Sequence, residues 1–281
     1  MRVVALLVLA LALASREPGQ SPPPGIAKRV DLERRLARFD LPGRLAEVSG
    51  LAFSPDGRLL AHGDERGVVY AVDPVTGAVD GGFRVGDPPV MDDLEGLAAA
   101  GERIFMVSSG GRLYEFRAVP QGRTSPVRIS SLGLEDGCEA EGLAYDAASD
   151  ALLVACKTLS PPAAEVRIHR LPLSTGAVAL PAIRIPLEAF RARGHLGDVS
   201  PSGLDVDPTT GTLVVLAARQ ELLFEVDVEG HLLDVVRLST RRHPQPEGIA
   251  FGPDGRLYIA DEAAGGTARI SVYGPHKERS P

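Results

Sequence analysis

Three glutamates in this sequence stand in the same local setting. Glu95 opens "EGLAAA", Glu141 opens "EGLAYD" and Glu247 opens "EGIAFG", each followed by a glycine and an apolar run. Ser49 in "SGLAFS" and Ser202 in "SGLDVD" hold the same place in two further copies. Carboxylates and hydroxyls are hard oxygen donors, and if the fold gathers these positions they suit a divalent cation of the Ca²⁺ kind. Carboxylates crowded together also raise one another's pKa values, so the set would demand a positive partner. The same side chains could instead accept backbone N–H bonds from a neighbouring element and only latch the structure. The residue types leave both readings open.

The elements that would gather them are legible as a repeat. Successive copies start at positions 49, 95, 141, 202 and 247, so the spacing is 46, 46, 61 and 45 residues. Each copy continues as alternating apolar and polar runs, such as "GVVYAVD" or "ELLFEVD", separated by Asp-Gly, Thr-Gly and Glu-Gly turns, with no sustained helical period. A four-stranded meander repeated at this interval predicts an all-β, five-bladed β-propeller of four-stranded antiparallel blades. The last copy runs out of strands after "ARISVYG", and "RRLARFDLPG" from Arg34 to Gly43 precedes the first copy. That segment is expected to complete the last blade and close the ring. Six blades would require the insertion between Val166 and Ser200 to hide a further blade, and it holds too few strands.

In a propeller the first strand of every blade lines the axis, and its start lies at one mouth together with the end of the second strand. Glu95, Glu141 and Glu247 are therefore the expected metal ligands, with Ser49 and Ser202 at the equivalent places. Asp64, Glu65, Asp261 and Glu262 come from the second-strand ends, with Lys157, Arg219 and Arg66 as counter-charges, and Asp92, Asp93, Glu139 and Asp198 thicken the rim. A small molecule or a protein is the expected ligand at this mouth. His195 and His243 lie on loops feeding first strands and could reach it as acid, base or ligand, although unpartnered loop histidines are the commoner case. Neither serine sits in a Gly-x-Ser-x-Gly elbow, so neither reads as a nucleophile. The turns "SPDG" and "GPDG" read as turn chemistry, with Pro and Gly supplying the torsions, and not as metal loops.

Cys138 and Cys156 are the only cysteines. With the hairpin from Glu141 to Lys157 turning near Ala148, both come to the same mouth, and a disulfide is expected there.

The chain of 281 residues carries a net charge of -7, which excludes a phosphate-backbone partner for want of a basic face. No nucleotide-binding signature occurs, so no nucleotide cofactor is expected. At the start, Arg2 and the apolar run from Val3 to Ala14 have the layout of a signal peptide, too short for a comfortable membrane span of about 20 residues. Cleavage near Ala14 predicts a periplasmic or secreted protein, with an uncleaved membrane anchor as the alternative. The expected organisation is a leader over 1–14, a Pro-rich tether over 15–31, the propeller over 32–274 and a tail over 275–281, with a monomer as the expected state.

The succession "SGLAFSPDG", "DLEGLA", "EGLAYDAASDALLVACK", "PSGLDVDPTTGTLVVLAARQELLFEVD" and "QPEGIAFGPDGRLYIADE" resembles the SdiA-regulated (YjiK-like) β-propeller family, itself similar to phytase-like and esterase-like propellers. The resemblance spans about Leu32 to Gly274 and implies an exported propeller more than it implies a reaction. Similar propellers of the gluconolactonase and paraoxonase types hold an axial divalent metal with Glu, Asn and Asp. Glu95, Glu141 and Glu247 match the Glu, and Asp198 or Asp261 the Asp, but the sequence contains no Asn. The resemblance thus implies a binding or scaffold propeller, with a metal-dependent hydrolase of an ester, lactone or phosphoester as the alternative.

Overall fold

Alternation of apolar and polar residues, broken by turn residues every few positions, folds here into short antiparallel strands that pack face to face. The computed structural model describes residues 23–134, 137–176 and 181–276. The expected leader, the first part of the tether and the tail from residue 277 lie outside them. The strands form five sheets around one axis, a five-bladed β-propeller.

Blade 1 comprises Val48–Phe53, Leu59–Gly63, Val68–Val72 and Phe83–Val85, and blade 2 Leu94–Ala100, Arg103–Ser108, Arg112–Arg117 and Arg128–Ser131. Blade 3 comprises Glu139–Asp146, Ala151–Thr158, Glu165–Pro172 and Ile183–Pro186, and blade 4 Gly203–Val206, Leu213–Ala217, Leu222–Val226 and Leu232–Arg237. Blade 5 takes Pro246–Phe251, Leu257–Asp261 and Arg269–Pro275 from the end of the chain and its outer strand, Val30–Asp40, from the beginning. The expected closure is therefore formed, with Arg38 opposite Ser271 and Asp40 opposite Arg269. One departure from four strands occurs: Thr124–Ser125, on the loop before the last strand of blade 2, adds in parallel to the edge of blade 1. The insertion in the third copy supplies the outer strand of blade 3 and a short helix, Leu187–Arg191, and not a sixth blade.

Five apolar clusters hold the ring, one at each seam between neighbouring blades. Between blades 3 and 4, for instance, Leu153, Ile168 and Ile185 meet Leu213, Val215 and Phe224. Because both faces of every sheet are buried this way, no blade has a stable core of its own, and the ring must close to be stable.

Closure is reinforced ahead of the outer strand. Ile26–Arg29 forms one helical turn with Ile26 fully buried. Arg29 reaches blade 4, where its Nη2 lies 2.9 Å from Glu225 Oε1 and 2.7 Å from Asp207 Oδ2. The Ile26 N–H donates to the other Glu225 oxygen at 2.7 Å. The end of the stretch expected to be a tether is thus docked on the ring, across the seam next to the blade it completes. The two cysteines, Cys138 and Cys156, are joined as a disulfide at the start of blade 3.

Candidate functional site

The five first strands meet so closely at the axis that only glycine fits after the motif's first residue. A Cβ on Gly96 would lie 2.3 Å from the Leu143 nitrogen and 2.8 Å from the Glu141 carbonyl oxygen, and one on Gly203 2.2 Å from the Glu247 carbonyl oxygen. Gly50, Gly142 and Gly248 are equally crowded by the next strand round. The residue after each glycine, Leu51, Leu97, Leu143, Leu204 or Ile249, packs into a seam between blades and borders the axis. The axial cavity they leave is about 10 Å³, room for about one water. Nothing larger passes through the ring, so chemistry is confined to its mouths.

At one mouth stand the residues before the glycines. Ser49 donates from its hydroxyl to the Glu95 carbonyl at 2.9 Å, and Ser202 donates to the Pro246 carbonyl at 2.8 Å. Each serine therefore ties its own first strand to that of the next blade. Of the glutamates, Glu95 joins this contact, its Oε2 accepting from the Ser49 hydroxyl at 3.3 Å. Glu141 is almost fully buried and accepts from Lys157 Nζ at 2.7 Å through Oε1, while its buried Oε2 has no hydrogen-bond partner. Burial, foremost, and then the Glu141 and Asp93 charges push the Glu95 carboxyl up to about 9, with Lys157 opposing. Burial, then Glu141 and Glu262, pushes Glu247 up to about 8. Glu141 itself rises to about 7 because burial outweighs the help of the Lys157 hydrogen bond. Three carboxyls thus share one ammonium, and all three hold protons far above the ordinary 4.5.

Further acids continue outward. Glu262 lies beside the ring, takes a hydrogen bond from Gln245 Nε2, and has its carboxyl raised by burial and then by Asp64 and Glu47. Asp64 is raised by burial, Glu47 and Glu65. Asp93 accepts from Ser109 Oγ at 2.5 Å and Glu139 from Thr158 Oγ1 at 2.7 Å. Asp92 turns instead to Arg112 and Tyr114, and Asp198 is exposed and bears on none of the ring glutamates.

Three residues expected at the mouth, Asp261, His243 and Arg219, belong elsewhere. Asp261 is fully buried inside blade 5, where its Oδ2 lies 2.9 Å from His243 Nδ1, and His243 Nε2 lies 2.6 Å from the Tyr273 hydroxyl. Successive strand residues point to opposite sides, so of the pair Asp261 and Glu262 only the second faces the mouth. His243 is accordingly part of an internal Asp–His–Tyr chain and not a mouth histidine. Arg219 sits exposed on the short turn after the second strand of blade 4 and pairs with no acid among the described residues, so among these Lys157 is the cation that serves the ring. His195 is half-exposed and its ring makes no hydrogen bond.

One participant escaped the sequence. His62 is fully buried under Gly50, donating from Nδ1 to the Gly63 carbonyl at 2.8 Å, and burial lowers it to about 4, so it is neutral. Its only trace in the sequence is a histidine in the second strand of "LLAHGDE", where other copies place Val, Ala or Leu.

Among the described residues, two groups bring metal-binding atoms within 4.8 Å of one another: Cys138, Cys156 and His169, and the exposed Asp227, Glu229 and His231. The first is closed by the disulfide, and the second is a surface turn. The axial glutamates belong to neither, so they form an open ring and not a closed coordination shell. No helix among the described residues is long and apolar enough to cross a membrane.

Residues 29–264 match the SdiA-regulated family. Among solved structures, the chain is similar to the glutaminyl cyclase of Myxococcus xanthus, with a TM-score of 0.59 and 16% identity over 87% of this chain and 97% of that one. It is also similar to the PQQ-bound aldose sugar dehydrogenase of Streptomyces coelicolor, at TM-score 0.53 and 14% identity over 86% and 98% of the two chains. A luciferin-regenerating enzyme follows at TM-score 0.53 and 12% identity over 85% and 95%. At such identities these likenesses concern the fold.

Proposed function

The chain belongs to the SdiA-regulated family of β-propellers, and from that premise we propose that it is an exported binding propeller whose acidic mouth receives a divalent cation of the Ca²⁺ kind. The observation that carries this reading is the ring of buried Glu141 and half-buried Glu95 and Glu247, served by a single ammonium that contacts Glu141, with the other Glu141 oxygen left without a partner. Ionised together, these groups would carry more negative charge than Lys157 can offset, and burial magnifies the repulsion. A hard dication answers that imbalance, and carboxylate oxygens are its preferred donors. Because the ring is open, an ion that keeps part of its water shell suits it better than one stripped bare. Glu95, Glu141 and Glu247 would hold it. When bound, the ion would supply positive charge able to polarise a ligand's oxygen or acidify a water. Export rests on the leader-like segment at the start of the sequence.

Cation binding must expel the protons these carboxyls retain, so affinity should rise steeply between pH 6 and 9. The test is thermal unfolding of the purified protein with chelator and with Ca²⁺, Mg²⁺ or Zn²⁺ at pH 6 and pH 8. A rise in midpoint with one of these ions, larger at pH 8 and abolished in Glu95→Gln and Glu247→Gln, supports the reading. No rise with any ion at either pH overturns it.

A second reading, a hydrolase of an ester, lactone or phosphoester, draws on the same raised carboxyls, since an acid still protonated near neutrality can donate to a leaving group. Turnover of an ester and phosphoester panel that disappears in Glu95→Gln would establish it. Absence of turnover across the panel, in protein shown to bind the ion, would leave the binding role.

A further inference from the structure

Beside the ring, between the loop Gly43–Glu47 and the first blade, lies a cavity of about 250 Å³. It shares no residue with the axial ring. Its charged and aromatic lining is Arg44, Glu47, Asp64, Glu65, Arg66 and Tyr70. Opposite charges thus face one space, yet none of the five charged side chains makes an ion pair with another. Several surface arginines elsewhere do close on a nearby acid, as in Arg38 with Asp40, Arg58 with Asp56 and Arg112 with Asp92.

Arg44 is also held in place. Its guanidinium lies 5.2 Å from the centre of the Tyr70 ring and donates to the Asp80 carbonyl at 2.8 Å, so its charge is oriented without being neutralised. Arg66 makes no side-chain hydrogen bond. In the same lining, Glu47 and Glu65 crowd Asp64, and burial together with these two charges raises it. A cavity whose lining carries a held, unneutralised cation and a crowded group of acids, none of them paired across it, is complementary to a small molecule that bears both charges.

We propose that this cavity is a binding site for a small organic zwitterion, a molecule with an ammonium and a carboxylate group such as a free amino acid or a dipeptide. The carboxylate faces Arg44, whose Nη2 is spent on the Val79 and Asp80 carbonyls so that it acts through its charge, and Arg66, whose guanidinium has no hydrogen bond among the described residues and can give two parallel ones. The ammonium faces Asp64, Glu47 and Glu65. The volume is slightly below the usual span for drug-sized ligands, which suits something no larger than a dipeptide. The proposal does not depend on cation binding at the axis, and the two are separable by variant.

Calorimetric titration of the full-length mature protein tests it, using L-glutamine, L-arginine and diglycine as probes, and N-acetyl-diglycine and diglycinamide as blocked counterparts. At least one zwitterion should bind with a dissociation constant of about 1 mM or tighter. Blocking either end should weaken diglycine by about tenfold or more, and preference for the amino acids or for diglycine identifies which source of the chemistry the cavity takes. Arg44→Gln with Arg66→Gln should remove binding while leaving the ion-induced rise in midpoint, and Arg58→Gln, outside both cavities, should leave binding intact. The proposal is overturned if no zwitterion binds at about 10 mM, if the blocked compounds bind as well as diglycine, or if the double variant binds unchanged. The blocked compounds need no variant, so their result does not depend on how a substitution folds.

Discussion

Replacing Glu247 with Gln tests the acidic mouth without any knowledge of a ligand. The folded protein holds the Glu247 proton up to about pH 8, against an ordinary 4.5, because burial and then the Glu141 and Glu262 charges penalise the anion. Below about pH 4.5 folded and unfolded chains are both protonated there, and the group leaves stability untouched. As pH rises through the interval up to about 8, the unfolded chain releases the proton while the folded one keeps it, so stability falls by about 1.4 kcal/mol per pH unit. Over this interval of roughly 3.5 pH units the loss reaches about 5 kcal/mol, and above it the curve flattens. Glutamine keeps the shape of the protonated acid and cannot ionise. The chain has no tryptophan, so urea unfolding followed by far-ultraviolet circular dichroism is the assay, run with chelator at pH 5.5, 6.5, 7.5 and 8.5. Glu247→Gln should fall less steeply with pH than the unchanged protein, by about 1.4 kcal/mol per unit, and should be the more stable of the two at pH 8.5. Parallel curves for the two proteins would refute the claim that this carboxyl is buried and crowded.

Two further substitutions probe how the ring is built. Gly96→Ala should cost about 3 kcal/mol in the same assay, because its Cβ would press on backbone atoms of Leu143 and Glu141, whereas Gly43→Ala, with open space around it, should change stability by less than about 0.5 kcal/mol. Arg29→Met should cost about 3 to 5 kcal/mol by leaving Glu225 and Asp207 buried without their cation, and limited proteolysis should then cut the chain before Val30; equal resistance of both proteins would show that the docked turn contributes nothing to closure.

Much of this was legible because propeller geometry turns sequence period into spatial convergence. Once the copies starting at Ser49, Glu95, Glu141, Ser202 and Glu247 are aligned, their equivalence places them round one axis, and the missing strand of the last copy points to the segment around Phe39 as its partner. What the alignment cannot supply is the direction of a side chain at a strand end, where one step in register exchanges the mouth for the blade interior. Asp261 and Glu262 look equivalent as neighbouring acids in the sequence, and only Glu262 faces the mouth. Nor does the repeat speak about parts outside it. Arg29 acquires its role from Glu225 and Asp207, about 180 to 200 positions away, and the rim cavity exists because the non-repeating loop Gly43–Glu47 stands off from blade 1. His62 stands in a strand position where an apolar residue would serve packing equally well, so its burial beneath Gly50 leaves no pattern to detect.

The serines at the axis bear on what the glutamates are for. Ser49 and Ser202 each carry a hydrogen bond to the first strand of the next blade, so a hydroxyl in this position is enough to tie neighbouring blades. A carboxylate there is a worse latch: it is desolvated, it is repelled by its equivalents, and Glu141 keeps an oxygen with no partner. Burying such groups lowers stability at neutral pH, as the Glu247 proton balance shows, and nothing about closing the ring requires it. Three glutamates where two serines suffice therefore speak for a site that has a use for negative charge, since a latch alone would be stronger without it. On the proposed reading a cation would recover that cost, and the pH slope and the ion-induced rise in midpoint should then vanish together in the glutamine variants.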